Sequence, residues 1–276
     1  MKSGNYIDLA QLALYAFWFF FAVLIYYLHQ ESKREGYPLE SERSDYTQQT
    51  GFPGLPEAKT YILPHGAGTQ TVPNSNKDTR AIKARSMEPW AGAPLVPTGN
   101  PMLDAVGPGA YAERANTPDL TVAGTARIVP LRIAKDYHLE TSDPDPRGMA
   151  VLGADGVVAG KVSDVWVDRS EALIRYLEVE VGQRRVLLPV NFANIETVKT
   201  GAEILGMEWM FNLVMPKQRT SADRRIQVSA IMGRHFADVP ATASTDHVTR
   251  REEDRICAYY GAGTLYASPE RAEPLI

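Results

Sequence analysis

Residues 9–28 read LAQLALYAFWFFFAVLIYYL, twenty positions without a formal charge, and they begin eight residues into an otherwise polar chain. At about 1.5 Å per residue, a helix of this length crosses the roughly 30 Å hydrocarbon core of a bilayer. The stretch therefore reads as a single transmembrane α-helix. A cleaved secretory signal would carry a basic leader, a shorter apolar segment and a small-residue cleavage site, whereas HQESKREGYPLE follows here. A core helix of a soluble domain would keep a polar face, and this one is apolar and aromatic nearly all round. Tyr6 at one end and Tyr26 with Tyr27 at the other suit the two membrane interfaces. Lys33 and Arg34 outnumber Lys2 across the membrane, which places the N-terminus outside and the residues beyond 30 in the cytoplasm.

Beyond the helix, about 245 of the 276 residues remain, enough to bury a core. A net charge of -4 argues against a nucleic-acid partner, and no polybasic run follows Lys33 and Arg34 to recognise lipid electrostatically. Cys257 is the one cysteine, so no internal disulfide is possible; its helical setting suggests a packed, inert thiol. Fourteen of nineteen prolines fall between Pro38 and Pro146, and they break any periodicity. This region also carries Tyr61, Ile62, Leu63, Trp90, Leu95, Val96, Met102, Leu103 and Tyr111, more apolar surface than a solvated linker needs. It reads as an extended strap laid along another surface, its prolines lowering the entropy cost of staying extended.

From about Met149 the pattern changes to short strands. Val158 to Val167 and Tyr176 to Val181 partly alternate, with Leu177, Val179 and Val181 on one face and Glu178 and Glu180 on the other. Val186, Leu188 and Val190 extend the period into a third strand, where Pro189 suits an edge or an end. Turns are expected at Ala154-Asp155-Gly156, Asp168 to Glu171 and Gly182-Gln183, which together favour a small antiparallel barrel or sandwich. Thr249 and Glu252 have capping-box spacing ahead of a short helix that Gly261 would end.

No catalytic constellation is present. The five histidines are isolated, the fragments Gly66-Ala67-Gly68 and Gly261-Ala262-Gly263 lack the rest of a nucleotide motif, and no GxSxG elbow occurs. Asp164, Asp168 and Glu171 cluster at one hairpin turn with Arg169 and Arg175 interleaved. Acids in hairpin turns are ordinarily just solvated. A proton-carrying role would require a partner to cover the turn, because desolvation and like charge raise carboxyl pKa values.

Taken together, these segments resemble the H subunit of the purple-bacterial photosynthetic reaction centre. The resemblance runs through YIDLAQLALYAFWFFFAVLIYYL, KREGYPLE, Tyr61 to Gly66, Pro97 to Met102, Val106-Gly107-Pro108, GKVSDVWVD, YLEVEV, Phe236 to Pro240 and EEDRICAYYGAGTLYA, in order along nearly the whole chain. It implies a single N-terminal transmembrane helix and a mainly β cytoplasmic domain with a PRC-type β-barrel and a short C-terminal helix. The expected division is residues 1–35 for the N-terminal segment and anchor, 36–145 for the strap and 146–276 for the barrel domain. A non-enzymatic subunit of the bacterial inner membrane is implied, capping the L and M subunits, shielding the quinone sites and carrying protons toward the reduced secondary quinone. Bacteriochlorophyll, bacteriopheophytin, quinones and non-haem iron would belong to the partners, with a cytochrome subunit, antenna polypeptides and lipids nearby. Among alternatives, a membrane-tethered PRC-barrel adaptor for another complex would need neither the strap nor KREGYPLE.

The resemblance assigns proton transfer to Glu171, with Asp168 as a companion acid titrating with it and Arg175 moderating their charge. It also exposes a departure. An acid and two histidines serve as the family's proton-uptake positions, and the aligned residues here are Thr121, Ala123 and Thr125, none of which titrates near neutral pH. Asp119 and His138 are the nearby titratable residues in sequence.

Overall fold

The computed structural model describes residues 8–41, 47–74, 78–197 and 224–272. Lys2 and Tyr6, used above for topology and the outer interface, lie outside them. The expected anchor is a continuous helix, α1 (Leu9–Glu31), started by Asp8, whose side chain accepts from the Ala10 N–H at 2.9 Å. Apart from Leu24, its large apolar side chains are exposed in the chain alone, from Phe21 at 39% to Leu9 at 77%, as a helix solvated by lipid or by partner helices requires. It is the one described helix long and apolar enough to cross a membrane.

The described residues divide into two compact units. The first holds α1, the segment to Thr79 and Glu88–Ala93. Two hairpins lie in it, β1 (Leu39–Ser41) with β2 (Thr47–Gln49), and β3 (Lys59–Ile62) with β4 (Thr69–Val72). Both cations that follow the membrane helix are buried here, Lys33 at 3% and Arg34 at 8% exposure. Lys33 Nζ donates to the carbonyls of Thr50 and Pro53, and Arg34 donates to those of Glu57 and Val72 while pairing with Glu31. Buried carbonyls need donors, so these cations pin the polypeptide that follows the membrane segment.

The second unit holds Arg80–Met87 and the chain from Pro94 onward. One hairpin, β5 (Ala84–Ser86) with β6 (Leu95–Pro97), precedes a seven-stranded sheet. The sheet is built from β7 (Ile128–Pro130), β8 (Ala150–Leu152), β9 (Val158–Asp168), β10 (Leu173–Val181), β11 (Arg184–Pro189), β12 (Asn194–Thr197) and β13 (Arg224–Gln227). Its order is β11-β10-β9-β8-β13-β12, with β7 also on β9; the β8–β13 pair is parallel and the other pairs are antiparallel. The three expected turns all lie between strands. Gly160 belongs on β9 because a Cβ there would collide with the Glu180 carbonyl, so only glycine lets the two strands close.

Trp166, Phe236, Met149, Leu188, Ile226, Tyr259 and Tyr260 fill the core. The last two come from α2 (Arg250–Tyr266), where the Thr249 hydroxyl and Glu252 carboxylate close the expected capping box at 3.2 and 2.8 Å. Three readings need correction. Helix α2 does not stop at Gly261: it runs through Gly261 and Gly263 to Tyr266, because both glycines serve close packing. A Cβ on Gly263 would strike Ile231 and the Ala230 carbonyl, and one on Gly261 would come 3.1 Å from the Pro108 carbonyl. Val190 leaves the strand after Pro189 and enters a 3-10 turn, Val190–Phe192. Cys257 is exposed, since it faces away from the side of α2 that buries Ile256, Tyr259 and Tyr260.

Candidate functional site

Asp168 is the last residue of β9 and pairs with both Ile128 and Leu173, so neighbouring strands cover it on each side and its exposure is 0%. The turn Arg169 to Ala172 then folds back over it. Asp168 Oδ1 accepts from the N–H groups of Ser170 and Glu171 at 2.9 and 3.1 Å, so the carboxylate caps its own turn. Two arginines complete its surroundings. Arg127, just before β7, donates through Nε to Oδ1 at 2.9 Å and through Nη2 to Oδ2 at 2.8 Å, and Arg175 Nε lies 3.3 Å from Oδ2. The same two guanidiniums bind Glu171, Arg127 to Oε1 and Arg175 to Oε2 at 3.2 Å.

The site residues expected from sequence, Asp168, Glu171 and Arg175, are thus brought together, and Arg127 joins them. No local sequence signal marked Arg127, which lies 41 positions before Asp168; only the β7–β9 pairing makes them neighbours. Arg169 points elsewhere, to the Ala126 carbonyl, and Tyr137 clips the turn by donating to the Arg169 carbonyl at 2.6 Å. Asp164 sits apart, in a second cluster described below.

Electrostatics separate the two acids. Burial works against a charged Asp168, but the Arg127 guanidinium and the Ser170 and Glu171 N–H groups outweigh it and hold its carboxyl below the usual range. Arg127 is held correspondingly above the ordinary arginine value by its bonds to Asp168. Glu171 keeps a side-chain exposure of 45%, in reach of water and of a partner.

Around the departure positions, Thr121 to Thr125 form a tight hairpin in which the two threonine hydroxyls lie 2.8 Å apart. Asp119, beside it, reaches Arg127 Nη1 at 3.3 Å and so connects to the turn through a shared guanidinium. His138 is exposed beyond β7 and acts electrostatically on Glu140. Among the described residues no three His, Cys, Asp or Glu side chains gather as a metal site requires.

One position in the turn is strained. Ala172 has φ 53°, a left-handed conformation that costs an L-residue about 1–2 kcal/mol. Ala172→Gly should relieve that strain at a smaller entropic cost and raise stability by ~0.5–1 kcal/mol. The measurement is a urea titration of the full chain in detergent; a loss of stability would show that the Ala172 methyl matters more than its backbone.

Glu178 corrects the strand reading. Instead of facing water it is 4% exposed, and it accepts from Trp166 Nε1 at 3.0 Å, Ser163 Oγ at 2.9 Å, Arg132 at 3.0 Å and Arg185 at 3.4 Å. It lies directly across from Asp164, and Arg132 Nη1 bridges the pair. Arg132, Ser163, Asp164, Glu178 and Arg185, with Leu131 and Arg147, line a cleft of about 330 Å3.

Two comparisons with known families cover residues 2–133 and 140–207. Residues 2–133 match the family described as the photosynthetic reaction centre, H-chain N-terminal region. The chain belongs to the reaction-centre H-chain family. Residues 140–207 match the PRC-barrel domain, which agrees with the mainly β unit around the acid and arginine turn. As an H subunit it is a membrane-anchored, non-enzymatic component that associates with the reaction-centre L and M subunits and holds no pigment itself.

Proposed function

We propose that this H subunit caps L and M on the cytoplasmic side, shields the quinone sites from bulk water, and helps conduct protons to the reduced secondary quinone. Its N-terminus is then periplasmic in the intracytoplasmic membrane, and residues 36–145 act as the strap between anchor and barrel. A cytochrome subunit, antenna polypeptides and lipids surround the complex, while the partners carry bacteriochlorophyll, bacteriopheophytin, quinones and non-haem iron. Exposed Ile62 (86%), Trp90 (60%) and Leu95 support the strap, since apolar side chains of this size call for a covering surface.

The observation that carries the proton role is a shared guanidinium: Arg127 binds a buried carboxylate, Asp168, and a half-exposed one, Glu171, at once. Sequence suggested that the two acids titrate as one coupled group. On this reading the labour divides: Asp168, enclosed and paired with two arginines, is the fixed charge, and Glu171, at 45% side-chain exposure, is the group in reach of water that passes the proton. Arg127 and Arg175 hold Glu171 in place and moderate its charge. When negative charge forms on the quinone, Glu171 gains affinity for a proton and passes it on through water, and the arginines then stabilise the carboxylate left behind.

Glu171→Gln tests this. First electron transfer to the secondary quinone should be intact, and the proton-coupled second transfer should slow by roughly tenfold, less than for a sole acid–base group because Asp119 and water remain. Flash spectroscopy on the purified complex makes the measurement, and an unchanged second transfer removes Glu171 from the pathway.

A further inference from the structure

Tyr176 follows Arg175 on β10, where the pairing with β9 shifts register between Ile174 and Tyr176; the Arg175 guanidinium reaches Asp168 and Glu171, while the Tyr176 hydroxyl reaches α2. It is buried, and its hydroxyl donates to Glu253 Oε2 at 3.2 Å, in the first turn of α2. The same hydroxyl lies 4.0 Å from Cys257 Sγ. The acids of the nearby turn, and Asp254 on the same helix, each have an arginine, and Glu252 is held by the Ala243 and Thr249 N–H groups. Asp119, Asp168 and Glu171 share Arg127 and Arg175, and Asp254 pairs with Arg114 at 3.3 Å. Among the described residues, Glu253 has no cation in ion-pair range.

We propose that Glu253 is a second proton-binding carboxyl beside the acid and arginine turn, with the Tyr176 hydroxyl as the switch that follows its protonation. The groups that face it are Tyr176 and Arg175 from β10, Arg114 and Asp119 from the segment before β7, and Cys257 from its own helix. Burial disfavours the carboxylate most, and it outweighs the Tyr176 hydroxyl and the more distant Arg114 and Arg175, so the carboxyl is held above the ordinary range. An ionised Glu253 accepts the tyrosine O–H. Once protonated, it donates its own O–H to the tyrosine oxygen, which frees the tyrosine hydrogen to turn toward Cys257 Sγ. Tyr176 stays neutral throughout, because burial drives its pKa far up. Proton binding here stands independently of conduction by Glu171; use of the site as a reservoir rests on it.

The experiment is an infrared pH titration of the intact detergent-solubilised complex in the dark. A protonated-carboxyl band titrating above the ordinary glutamate range should be present in the parent and lost in Glu253→Gln. Tyr176→Phe keeps the ring packing and removes the bond that favours the carboxylate, so the midpoint should move up by about one pH unit. A Glu253→Gln spectrum that superposes on the parent, or a Tyr176→Phe midpoint that does not move, overturns the proposal. Because the band is an equilibrium property, a failure of Glu171→Gln to slow electron transfer would sink the conduction reading and leave this one standing.

Discussion

Asp168→Ala should destabilise the β unit by about 3–5 kcal/mol, the scale for breaking a buried charge pair. The carboxylate is fully enclosed and meets both arginines and two backbone N–H groups. Its removal leaves the Ser170 and Glu171 N–H groups without their acceptor and sets Arg127 against Arg175 with only Glu171 between them. Asp168→Asn should lose less, because one oxygen can still accept from the turn while the amide nitrogen faces a guanidinium. Urea titration of the full chain in detergent, followed by circular dichroism, gives the measurement. The folded pKa lies below the ordinary 3.8, so the carboxylate's contribution is full above that value and is lost as pH falls through the folded one. The gap between parent and Asp168→Ala should therefore be flat near neutral pH and narrow below about pH 4. A gap under ~1 kcal/mol at neutral pH would show that Asp168 is dispensable to the turn.

What the sequence carried well was periodic or local. Residues 9–28 could be read because a bilayer demands a long uncharged helix, and Thr249 with Glu252 because a capping box spans three residues. Turn positions at Asp155, Asp168 and Gly182 were legible from turn chemistry. What failed depended on distant neighbours. Glu178 alternates as a solvent-facing residue should, yet Trp166, Ser163 and Arg132 converge on it from other parts of the chain. One signal did exist: a strand pairing that puts Asp164 opposite Glu178 opposes like charges, and such a pair requires a cation. Gly261 looked like a helix end because glycine commonly is one, but the reason for it lies 153 positions earlier in the chain, at the Pro108 carbonyl. Arg127 was invisible for the same reason, its role created by the register of β7 on β9.

That missing cation is Arg132, and its removal should have the second large effect. Arg132 Nη1 lies 2.9 Å from Asp164 and 3.0 Å from Glu178, with the guanidinium carbon 6.0 Å from the centre of the Trp166 ring. Burial opposes charge on Glu178, but the Trp166 N–H and Arg132 reverse that and hold its carboxyl below the usual range. Arg132→Met keeps the length and apolar stem while leaving two buried, opposed carboxylates. The expected loss is about 2–3 kcal/mol, under the 3–5 of a fully enclosed pair, since a third of Arg132 is in water and Ser163, Trp166 and Arg185 still serve Glu178. In the parent, the Glu178 contribution is full above the ordinary glutamate value of 4.5 and fades as pH falls through the depressed one. In Arg132→Met the two acids instead resist ionisation, so the variant should recover toward the parent as pH falls below about 5. Adding Glu178→Gln to Arg132→Met should restore part of the loss at neutral pH, because one of the two unpaired charges is gone. If the double variant is no more stable than the single one, the damage comes from lost packing on Trp166 rather than from the opposed carboxylates.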